Sequence, residues 1–582
     1  MSGLMSGLSA VTLRRFPFVL SLLIASGFVF WILSLPCFPT LDGPVHMYYV
    51  HVFGSLLARN NTEYAHYFKI RHLLPPYSLY YYALLLLSDW VPMLLADRVI
   101  VCVYFVSFVF GFRFLARQIG GSADLMTLLS TPLLLNWPLG MGFVNFCLSL
   151  SFSFWAVGLW LKLQGRRTVW GRVGFLALVT GIMLTHPVPL LLLLAVTGAL
   201  LLVRIVEAAR AARRFALPPQ GLADLATLGL ATLNVGYVKL FANGNPLKQI
   251  NETGAPPTPF WQGVIKQATI CPREHALAFV FGRSPDILVY RFVLLLILLW
   301  AIGLALLQFR RNRKAGRLTT GDTFFLLGAG LFFVLPFIPT QLNGLYFFAD
   351  RLVICVWLAF LLAASGWSGR ETAVAGSRSS QPPAGIRGGF VLACAVVALV
   401  GDVTLLTSAN RILRPIAWDM ADLNQSSPEI HGQVGFLIED ARPMLGEAPE
   451  GPSWNPYHWA LMHVFRQNDA VIANAPWMHE SIIPVAPAAA LPEVSIAALR
   501  EPFADQVQRD LLRSPQDLRQ TLSVDSFFLV NQVDRSMLAT GEPVLLRAGT
   551  MAKDWSCATV NWYRLCHQGK ATVASNEPLR RR

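Results

Sequence analysis

Charge is scarce in this chain. Asp, Glu, Lys and Arg make up only 14% of its 582 residues, while 54% are hydrophobic. A soluble globular chain carries about 25% charged residues, so an ordinary soluble enzyme is excluded. Acids are scarcer than bases, 33 against 47, which gives a formal charge of +14. That excess is not read as a nucleic-acid footprint. Much of it sits in short clusters between apolar runs: Arg14-Arg15, Arg166-Arg167, Arg210 with Arg213-Arg214, and Arg310-Arg311-Arg313-Lys314. Such clusters set membrane orientation. Cysteine is limited to eight residues without metal-ligand spacing. Cys102, Cys147, Cys355 and Cys394 lie in apolar runs and read as packing. Cys557 and Cys566 stand in the polar tail, where a hairpin disulfide suits an oxidising compartment. No small-x-small cleavage site follows the first apolar run, so it reads as a retained anchor. No internal repeat is apparent.

What is abundant is apolar sequence. Runs of around 20 residues, each long enough to cross a bilayer, recur to about residue 406. The expected spans are 16–36, 94–116, 122–139, 143–162, 172–186, 188–206, 221–241, 287–308, 322–342, 352–367 and 388–406. The run at 77–90 is short for a span and carries Tyr80-Tyr81-Tyr82, which suits an interfacial or re-entrant piece. Leaving it out gives about 11 spans and puts the basic clusters inside. The fold class expected is therefore a polytopic α-helical membrane protein with a C-terminal soluble α+β domain. The domains are 1–408 in the membrane and 409–582 outside the cytoplasm. Strand-like runs (526–530, 559–563) and helix-like runs (494–500, 504–512) make up the tail.

The stretch Leu41-Asp42-Gly43-Pro44-Val45-His46 follows the first span. It sets a carboxylate and an imidazole four residues apart at the start of a helix near Pro44. Its plain reading is a helix start with Asp42 as N-cap. With the spans as numbered, other polar sites fall on the same side. They are Asn136-Trp137-Pro138, Gly142-Phe143-Val144-Asn145, Thr185-His186-Pro187, the loop 242–286 with Arg273 and His275, and Asp350-Arg351. The opposite side offers mainly short basic turns. The asymmetry points to a site at the outer membrane-water boundary.

These features resemble the GT-C superfamily of membrane glycosyltransferases, which use polyprenyl-phosphate-linked sugars. The resemblance rests on Asp42 and His46 in the first outer loop, the Gly142 to Asn145 turn, Thr185-His186-Pro187, and Asp350-Arg351 opening a late span. It implies a bacterial inner-membrane enzyme that moves a sugar from a lipid carrier to a glycan, lipid or protein acceptor. Nucleic acid has no place among its partners. Many such enzymes carry a second acidic residue beside the first, and some bind a divalent metal there. Here Gly43-Pro44 follows Asp42, and the sequence indicates no cofactor.

A sugar on a polyprenyl phosphate already has a leaving group. What remains is to deprotonate an acceptor hydroxyl and hold the departing phosphate. Asp42 is the expected general base. Arg351, Arg273 and His275 are the expected phosphate donors, Arg351 first because its planar fork matches phosphate oxygens. His46, His186 and Asp350 complete the expected substrate-binding set. Three other readings stay open: a polysaccharide polymerase or ligase, a lipid transporter, and a non-catalytic membrane scaffold. Asn234 and Asp402, polar residues within apolar runs, bear on the transporter reading.

Overall fold

In the computed structural model the described residues are 2–40, 42–58, 64–65, 68–70, 73–164, 166, 168–214, 217–218, 220–243, 285–338, 348–367 and 384–426. Strands at 432–438, 470–472, 485–487, 526–530, 555–560 and 563–568 complete them. The described part of the first 426 residues is a helical assembly of a polytopic membrane protein. Among the described residues, seven helices contain stretches long and apolar enough to cross a bilayer. These stretches are Arg15–Ser34, Met93–Ile119, Val144–Leu163, Pro187–Ala212, Gly221–Val238, Leu288–Lys314 and Gly389–Arg411. Ser78–Ser88, Val169–Thr185, Thr320–Val334 and Arg351–Ser365 are apolar but shorter. Helix Ser78–Ser88 extends about 16 Å at 1.5 Å per residue, half of a hydrocarbon core.

Two expected spans are not continuous helices; in 322–342, helix Thr320–Val334 gives way to a 3-10 turn Leu335–Phe337. Residues 122–139 form helix Ala123–Ser130, a 3-10 turn Thr131–Leu133 and the start of a one-turn helix Trp137–Gly140. The physical reason is proline. Pro132 and Pro138 each lack an N–H, and both sit at the start of a new turn. Asn136 then caps the one-turn helix, its Oδ1 accepting from Leu139 N at 3.0 Å.

The core lies between the helices Met93–Ile119 and Val144–Leu163 and their neighbours. Phe108, Phe112 and Phe154 meet there, with edge contacts at 5.4 and 5.6 Å. Arg98 ties the first helix to this core. Its guanidinium donates to the carbonyls of Leu33 and Leu35, at the C-terminal end of helix Ser2–Ser34. Ion pairs join neighbouring helices near their ends. Arg113 and Arg117 pair with Asp124, and Arg172 and Arg204 with the buried Asp224.

The described C-terminal strands are β2 (Gly432–Ile438), β3 (Ala470–Ile472), β4 (Val485–Pro487), β5 (Ser526–Val530), β6 (Trp555–Val560) and β7 (Tyr563–Gln568). Five form a mixed sheet in the order β3-β2-β5-β7-β6. In the β6–β7 hairpin, Cys557 stands opposite Cys566. Strand β4 instead leaves for the membrane part. It pairs antiparallel with β1 (Phe68–Ile70), with Lys69 opposite Ala486. The tail thus touches the loop that follows helix Gly43–Ala58. The helix-like runs 494–500 and 504–512 lie outside the described residues.

Candidate functional site

Asp42 stands immediately before helix Gly43–Ala58. Its carbonyl accepts the first helical bond, from His46 N at 3.2 Å, so the plain N-cap position is real. The helix starts one residue earlier than expected from Pro44. Asp42 is also held across the fold, because its N–H donates to Met141 O at 2.9 Å. Met141 and Gly142 belong to the turn after Trp137–Gly140. Gly142 has φ 89, and a Cβ there would lie 2.6 Å from Gly43 N and 2.8 Å from Asp42 N. Only glycine lets these two backbones come this close.

The same turn continues into Phe143, whose ring faces Arg351. The guanidinium carbon is 3.8 Å from the ring centroid, a cation–π contact. Arg351 is buried, and its Nη1 lies 2.8 Å from His186 Nε2. His186 joins helices Val169–Thr185 and Pro187–Ala212 and caps the second, its Nδ1 lying 3.1 Å from Val188 N. Proline at 187 and 189 ends the first helix and starts the next. Phe146 packs edge-on against the imidazole at 5.3 Å. Ser149 Oγ donates to His186 O at 3.1 Å. The Tyr77 hydroxyl lies 3.0 Å from the same Nε2.

Burial dominates the electrostatics of Asp42. Protein surrounds the carboxyl, although the residue keeps a partial opening. Burial pushes its pKa up to about 7, and the positive charge of Arg351 pulls the other way. A carboxylate with that pKa is half ionised near neutrality, where a general base works best.

Of the expected site residues, Asp42, His186 and Arg351 come together in this arrangement. His46 sits within electrostatic reach of His186, but its ring turns to Tyr81, with Nδ1 2.8 Å from the hydroxyl. Asp350 belongs to helix Phe348–Ser365, and its side chain is not described. Arg273 and His275 lie outside the described residues. Asn145 satisfies the turn backbone, its Oδ1 accepting from Phe146 N at 2.9 Å.

The sequence reading gave Tyr81 only an interfacial role and gave Tyr77 none at the site. A Pro-Pro-Tyr turn before an apolar run was the only signal for Tyr77. The Tyr80 hydroxyl reaches Asp97 at 2.8 Å. No three His, Cys, Asp or Glu side chains converge among the described residues. Among the described residues, the Asp42 backbone meets Met141 and its carboxyl lies in the field of Arg351.

No family model matches the sequence, and no curated protein matches it. Among solved structures, the chain is similar to ArnT from Cupriavidus metallidurans bound to undecaprenyl phosphate. The TM-score is 0.44 at 13% identity, covering 97% of this chain and 100% of that one. The apo state of the same protein gives 0.45 and 13%, over 96% and 98%. Arabinofuranosyltransferase AftD from Mycobacteria gives 0.45 and 14%, over 96% of this chain and 40% of that one. The likeness runs along nearly the whole chain. At 13–14% identity it assigns no residue.

Proposed function

We propose that this protein is an integral membrane glycosyltransferase that moves a sugar from a polyprenyl-phosphate carrier to an acceptor hydroxyl. The observation that carries the reading is a half-open, buried Asp42 with a pKa of about 7 within the field of a buried Arg351. The acceptor hydroxyl gives its proton to the Asp42 carboxylate. Its oxygen forms a bond to the anomeric carbon as the bond from that carbon to the carrier phosphate oxygen breaks. The electron pair leaves with the phosphate. Arg351 meets the charge there, supplying stabilisation where it develops.

The state of Arg351 supports this role. Its Nε is buried and has no hydrogen-bond partner among the described residues. A buried donor left unpaired costs about 1–3 kcal/mol, so an incoming oxyanion gains by meeting it. Arg273 and His275 act as further phosphate donors in this reading, and His46 and Asp350 complete the substrate-binding set. The setting is the bacterial inner membrane, with the C-terminal region extracytoplasmic. The acceptor is a glycan, lipid or protein.

The test is sugar transfer by purified protein carrying Asp42→Asn, which keeps shape but removes the base. Transfer should fall about 10²- to 10⁴-fold with folding intact. Transfer at the original rate by a folded Asp42→Asn protein would remove Asp42 as the base.

A further inference from the structure

We infer that Tyr77 is a positioning residue for Arg351, acting through His186; this rests on the phosphate-binding role proposed above. Tyr77 follows Pro75-Pro76 and caps helix Ser78–Ser88 with φ 79 and ψ −10. A non-glycine residue meets a steric penalty in this left-handed conformation. Such strain persists where the surroundings over-determine a residue. Here the ring is buried edge-on against the His186 imidazole, centroids 4.7 Å apart.

Among the described residues, His186 Nε2 has two polar neighbours, the Tyr77 hydroxyl at 3.0 Å and Arg351 Nη1 at 2.8 Å. Nδ1 faces the backbone N–H of Val188. A neutral imidazole has one acceptor nitrogen, and both Arg351 and Val188 are obligate donors. The ring therefore cannot satisfy both. The Tyr77 hydroxyl is the adaptable partner. It accepts when Nε2 carries the hydrogen, and donates when Nε2 is bare. Arg351 can then leave the imidazole for a phosphate oxygen without stranding a buried ring nitrogen. Without that hydroxyl, Arg351 becomes the sole polar neighbour of Nε2, and drawing the guanidinium toward an anion costs more.

The test uses the full chain in lipid nanodiscs, with a polyprenyl monophosphate titrated as probe and binding read without turnover. Tyr77→Phe keeps the ring and should weaken binding about three- to tenfold. It should add nothing to Arg351→Ala, because its effect runs through that guanidinium. His186→Phe, which removes the shared nitrogen, should likewise add nothing to Arg351→Ala, and keeps the test alive if Tyr77→Phe does not fold. Equal loss with and without Arg351, or no loss while Arg351→Ala binds weakly, overturns the positioning role. Wild-type binding by Arg351→Ala instead overturns the phosphate reading beneath it.

Discussion

At the scale of the residue, two positions decide whether Asp42 can work. One is Asp42 itself, whose environment raises its pKa into the neutral range. The other is Gly142, which contributes no side chain but lets the Met141 turn seat the Asp42 backbone. Gly142→Ala forces a Cβ into the left-handed region and against two backbone nitrogens. It should cost at least about 1–2 kcal/mol in stability. It should also reduce transfer out of proportion to that cost, because the displaced group is the base. Gly174, with nothing within 4 Å of its Cβ position, is the control. Gly174→Ala should leave both the thermal midpoint and transfer near wild type or slightly improved. Transfer by Gly142→Ala that merely follows its stability would separate the turn from the site.

At the scale of the element, apolar runs were legible because they are long, and helix starts because Pro, Asp and Asn mark them. Asp42, Asn136 and His186 each stand at a helix start. The break in 122–139 was less legible. Composition there is that of a span, and only the register of Pro132 and Pro138 forbids one helix. Contacts between distant elements left no local signal. Tyr77 meets His186 across 109 positions, and His186 meets Arg351 across 165. Nothing in the local pattern records either pairing. The β1–β4 ladder is of the same kind, since three residues of an outer loop pair with three from the tail. With Lys69 opposite Ala486, cysteines substituted at both positions fall within disulfide reach. Lys69→Cys with Ala486→Cys should cross-link under mild oxidation in membranes. Leu73→Cys with Ala486→Cys, out of that register, should not. Absence of the first cross-link would detach the tail from the loop beside the site.

At the scale of the whole molecule, the helical bundle brings together groups that begin far apart in the chain. A turn at 141–143 seats the Asp42 backbone and lays Phe143 on Arg351, and Arg351 in turn meets the helix junction at 186. The helix ends on the other side carry Arg–Asp pairs instead. This asymmetry was legible in the sequence as a grouping of loops. Its electrostatic consequence was not, because it depends on burial. The central claim is that burial and Arg351 together set the ionisation of Asp42. The direct measurement is the pH profile of kcat/KM for sugar transfer, in wild type and in Arg351→Gln. The wild-type profile should rise with pH and level off above about 7, as the carboxyl loses its proton. Arg351→Gln removes the charge that lowers this pKa, so its rising limb should move to higher pH. A limb that stays put in Arg351→Gln, or a wild-type rate already flat through neutrality, would contradict the account.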